Sequence, residues 1–71
     1  MTQNEFLGKM VDILDYEGDL QMDMNLEEMD EWDSLSILSF LAEMEQYAKG
    51  SLNSADVKKA KTLNDLYILL S

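Results

Sequence analysis

Four times in 71 residues the chain offers a short polar residue able to cap a helix, each time ahead of apolar residues at helical spacing. Thr2-Gln3-Asn4-Glu5 has the form of a capping box, in which threonine and glutamate each satisfy a backbone N–H that the first helical turn leaves without a partner. Phe6, Leu7, Met10, Val11, Ile13 and Leu14 then recur on one face, so a first helix is predicted to end at about Asp15. Asp33 precedes a second helix, predicted from Ser34 to about Lys49 with Gly50 as its stop. Ile37, Phe40, Leu41, Met44, Tyr47 and Ala48 give this helix a continuous stripe for the core. Asn53 or Ser54 can open a short third helix over Ala55 to Ala60. Thr62-Leu63-Asn64-Asp65 opens a last one, carrying Leu63, Leu66, Tyr67, Ile68, Leu69 and Leu70. The predicted fold class is therefore all-α: a small four-helix bundle with three longer helices and one short one, in which residues 1–71 form a single domain with a compact core and modest stability.

Between the first two helices, residues 16–33 are dense in carboxylates. Leu20, Met22, Met24 and Leu26 alternate there with polar residues as a half-buried strand would. No second strand is predicted, so the segment reads as an extended loop whose alternate side chains lie down on the helices. Its length marks it as functional. Its acids invite comparison with a calcium-binding EF-hand loop, whose central glycine fixes the ligand offsets. Centred on Gly18, the first and twelfth positions fall on Ile13 and Met24; counted from Asp19, Asp19, Gln21, Asp23 and Asp30 are in place but Met24 replaces the glycine. No dedicated metal site is expected.

Charge narrows the partners. Residues 1–48 hold 13 acids and one lysine (−12), residues 49–71 two acids and four lysines (+2), and the chain has no arginine. Such a field argues against nucleic acid and against insertion into an anionic membrane, and favours basic proteins. With no cysteine, no signal peptide and no apolar run long enough to span a bilayer, the expected setting is the cytoplasm. Met1 directly before a helix start suggests a free-standing protein, expected to be a monomer. Met10, Met29 and Met44 read as core filling. Trp32 reads equally as a loop anchor or as a contact for a partner. Tyr47 and Tyr67 read as core residues with the hydroxyl at the rim, and Lys58, Lys59 and Lys61 as a solvated face that balances the acids rather than as a phosphate site.

The chain has no histidine and no cysteine, so no Ser-His or Cys-His nucleophile is available and an enzyme of that kind is excluded. Ser34, in Asp33-Ser34-Leu35, is a target rather than a tool. If Asp33 caps the second helix, Ser34 is its first residue, at the end of the macrodipole where a phosphate ester is favoured. The alternative is an ordinary helix start, for which both residue types are suited.

The order of these features over nearly the whole length resembles the acyl carrier proteins: first helix, long loop, Asp33-Ser34-Leu35, second helix, short third helix and Thr62-capped last helix. The resemblance implies a carrier and not an enzyme. It implies that Ser34 bears a covalent 4′-phosphopantetheine arm and that Asp33 serves recognition by a phosphopantetheinyl transferase. Leu35 and the following turn would meet partner enzymes. With Leu38 as a further apolar contact and Glu43 and Glu45 as acids, these would dock an acyl- or aminoacyl-loading ligase and downstream synthase enzymes bearing basic patches, in fatty-acid, polyketide or specialised biosynthesis. Departures are also present. Trp32 stands two places before the serine, where fatty-acid-type carriers usually have a small residue. Ser34 to Ala42 carries no charge, Ser36 and Ser39 are expected at exposed positions, and the acids are delayed to Glu43 and Glu45. A specialised free-standing carrier fits this pattern best. The other class of reading is a small acidic helical adaptor that docks a partner through its second helix, with Ser34 unmodified.

Overall fold

Thr2, Asp33, Asn53 and Thr62 each turn a side-chain oxygen onto the first turn of a helix, in a computed structural model that describes residues 1–48, 50 and 52–70. Four helices follow from these caps: α1 over Gln3–Leu14, α2 over Ser34–Met44, α3 over Ser54–Lys59 and α4 over Leu63–Leu69. The fold is all-α, a small helical bundle as expected, and α2 is its centre, packing on α1 at one side and on α3 at the other, while α4 packs on α3. Its radius of gyration of 10.8 Å matches the roughly 11 Å of a well-packed chain this long. Phe6, Met10, Leu26, Phe40, Met44, Val57, Leu63 and Leu66 are fully buried at the centre of the core. Met10 and Met44 are core filling as predicted, and Met29 packs half-buried against the core.

α1 ends where Asp15 takes the left-handed conformation (φ 51°), which aspartate tolerates better than most residues. α2 is shorter than predicted. After Met44 the chain tightens into a one-turn 3-10 helix over Glu45–Tyr47, because the Gln46 side chain donates to the carbonyl of Glu43 and Ala48 leaves in an extended conformation. The predicted end at Lys49 lies outside the described residues. Tyr47 also differs from expectation: it stands at the surface, 37% exposed, with the Lys9 ammonium 5.0 Å from its ring centroid. Tyr67 keeps the predicted arrangement, edge-on to Phe6 at 5.4 Å with its hydroxyl donating to the Met1 carbonyl at the rim.

The long loop does lie down with alternate residues inward. Leu20 and Leu26 are buried, and Met22 and Met24 half-buried. It also finds a backbone partner, which the sequence reading denied it. The N–H of Leu26 donates to the carbonyl of Lys61, and the first N–H groups of α4, on Leu63 and Asn64, donate to the carbonyls of Met24 and Met22. These are donors that a helix start cannot satisfy internally, so the loop completes the cap that Thr62 begins.

Asp65 closes the same cap, accepting from the N–H groups of Lys61 and Thr62. Those hydrogen bonds hold its carboxyl below the usual aspartate range. A depressed carboxyl contributes stability that is present above its unfolded value and lost as pH falls through its folded one. Asp65→Asn is therefore expected to lower the melting temperature at pH 7, with the gap to wild type closing below about pH 4. A gap that stays constant down to pH 2.5 would show that the charge plays no part.

Candidate functional site

The start of α2 is built by two residues that flank Ser34 in the helical repeat. Asp33, extended at φ −136°, accepts the N–H of Ser36 on its Oδ1 at 3.0 Å. The Ser36 hydroxyl answers, accepting the Asp33 N–H at 2.7 Å and donating to the Asp33 carbonyl at 2.9 Å. Ser36 is thus buried, 6% exposed, rather than at the exposed position the sequence suggested, because its hydroxyl is the reciprocal half of the cap. Ser39 is exposed as expected. Nothing in the residue pattern marked Ser36 as the closing partner, since Glu or Gln is the usual residue three places after a cap.

This division of labour leaves Ser34 free. It is exposed, and its hydroxyl makes no hydrogen bond to any described residue. Leu35 and Leu38 stand beside it, 75% and 62% exposed, an apolar pair one turn apart on the outer face of α2. Trp32 is half-buried and packs edge-on against Phe40, with ring centroids 6.0 Å apart, so it anchors the end of the loop immediately before the cap. The residue that seemed equally an anchor or a contact is at least an anchor.

The acids expected to work with Ser34, Glu43 and Glu45, do not lie beside it. Glu43 is about half a turn round the helix from Ser34, where it lines a groove with Lys9, Asp12, Ile13 and Ser39 on the α1 side. The Tyr47 hydrogen bond, then the Tyr47, Glu43 and Asp12 charges, hold Lys9 above the usual lysine value. Glu45 is exposed beyond the end of α2, in the 3-10 turn. Ser34 instead shares a groove of about 260 Å³ with Ile37, Leu38, Ser54 and Lys58, on the α3 side. From the sequence Lys58 was read only as part of a solvated face, because helical spacing within α3 says nothing of which residues of α2 it will lie beside. Of the carboxylates in the loop, no group of three or more among the described residues is placed to hold a metal ion. No described helix is long and apolar enough to cross a membrane.

Comparison of the chain with models of protein families, with curated proteins and with solved structures returns no match.

Proposed function

We propose that this protein is a carrier, modified on Ser34 with a 4′-phosphopantetheine arm, that holds acyl or aminoacyl groups and passes them between enzymes. One observation carries the reading: the cap of α2 is completed by Asp33 and Ser36, which leaves the Ser34 hydroxyl exposed and without a hydrogen-bond partner among the described residues, at the first position of the helix. The capping bonds belong to the N-cap Asp33 and to Ser36, so Ser34 at the first helical position is not needed for them. The residues also fit the group. Ser34 is open to a modifying enzyme, and the groove beside it offers apolar walls from Ile37 and Leu38 and a cation from Lys58.

In the modification, the Ser34 oxygen bonds to the phosphorus that carries pantetheine in coenzyme A. The pyrophosphate bond breaks with its electron pair leaving on adenosine 3′,5′-bisphosphate, and the serine proton passes to a base of the transferase or to water. Attached there, the arm supplies the thiol that this cysteine-free chain lacks, so that cargo is held as a thioester. Asp33 presents its carboxylate at the surface one residue before the attachment point, where the transferase must approach. Leu35 and Leu38 supply the apolar centre of the docking face, and the acids of residues 1–48 steer basic partners towards it. Association with such a partner is expected to slow as salt shortens the Debye length from about 10 Å at 0.1 M to about 3 Å at 1 M. An association rate independent of salt would contradict this.

The test is intact mass after incubation with a broad-specificity phosphopantetheinyl transferase and coenzyme A. A gain of one phosphopantetheine supports the carrier. An unchanged mass favours the adaptor, docking through exposed Leu35 and Leu38.

A further inference from the structure

Resting on the carrier reading, we propose that Lys58 is an anion-binding residue for the phosphodiester on Ser34, so that the base of the arm is held on the α3 side of α2. The acids of the chain are concentrated before residue 49, and a phosphate joined to Ser34 adds further negative charge to that part of the molecule. The groove that contains Ser34 places a cation close to that serine. Ser34, Ile37, Leu38, Ser54 and Lys58 line it, so its one charged lining residue among the described residues is a cation. Lys58 reaches it from the last turn of α3, a helix whose start is fixed by the Asn53 cap and whose buried Val57 fastens it to the core. The lysine is thus presented from a placed element rather than from a loop. Ser54, on the first turn of the same helix, adds a hydroxyl to the same groove.

Lys59 and Lys61 provide internal controls. Lys59 lines a different groove, with Asp56, Ala60, Asp65 and Leu69, and Lys61 precedes the α4 cap. A diffuse response to the added charge would touch all three lysines, whereas a specific pair touches Lys58.

The experiment measures the rate at which an N-hydroxysuccinimide acetyl ester modifies each lysine, read by peptide mass spectrometry, in apo protein and in protein shown by intact mass to carry the arm. An ion pair at an exposed site corresponds to a rate at Lys58 lower by about two- to fivefold in the modified protein. Lys59 and Lys61 should change little, and the difference should shrink near 1 M salt. Equal changes at all three lysines, or none, in protein that is fully modified would overturn the Lys58 assignment and leave the carrier reading standing. Failure of the mass to increase would overturn both.

Discussion

Replacing Ser34 with alanine is expected to abolish phosphopantetheine attachment completely while leaving the fold in place. The Ser34 hydroxyl makes no hydrogen bond among the described residues, and alanine is the better helix former, so stability should change by no more than about 0.5 kcal/mol. Ser36→Ala is the counterpart. It removes the hydroxyl that accepts from the Asp33 N–H and donates to the Asp33 carbonyl, and should cost about 1 kcal/mol. That variant should still be modified, because Ser34 is untouched. The two serines, two residues apart, therefore separate chemistry from stability: one variant loses the mass gain and keeps its melting temperature, the other does the reverse. Attachment to Ser34→Ala would place the modification on another serine and remove the basis of the carrier reading.

The largest effect on stability is expected at Phe40. Its ring is fully buried at the middle of α2 and receives the edge of Trp32, so Phe40→Ala removes core packing and the anchor of the loop together. A cost of about 3–5 kcal/mol is expected, against a total stability of about 5 kcal/mol for so small a core. The variant should be largely unfolded at 37 °C by far-ultraviolet circular dichroism, and Trp32 fluorescence should report a solvent-exposed indole. Leu38→Ala, two residues earlier and 62% exposed, should stay within about 0.5 kcal/mol of wild type in urea unfolding. Equal costs for the two would mean that α2 presents a different face to the core.

The carrier reading and the groove around Ser34 draw on different parts of the sequence. The Asp33-Ser34-Leu35 tripeptide and the capping pattern were legible because they are local, and Asp33, Ser34 and Leu35 take the places at the start of α2 that this reading gave them. Lys58 was legible only as one of several solvated lysines. Glu43 and Glu45 were read with Ser34 because they share its segment, yet one lies on the α1 side of α2 and the other beyond its end.

The sequence by itself determined where each helix begins, since Thr2 with Glu5, Asp33, Asn53, and Thr62 with Asp65 act on backbone groups three residues away, and such bonds need no tertiary contact to form. It also determined the inward faces of α1 and α4, where Phe6, Met10, Leu63 and Leu66 repeat at helical spacing. Only the tertiary structure decided that the loop at Met22, Met24 and Leu26 would pair with the start of α4, that Tyr47 would meet Lys9 at the surface, and that Lys58 would share a groove with Ser34. Each of these joins residues more than 20 positions apart, and periodicity along one segment does not encode which other segment will cover it.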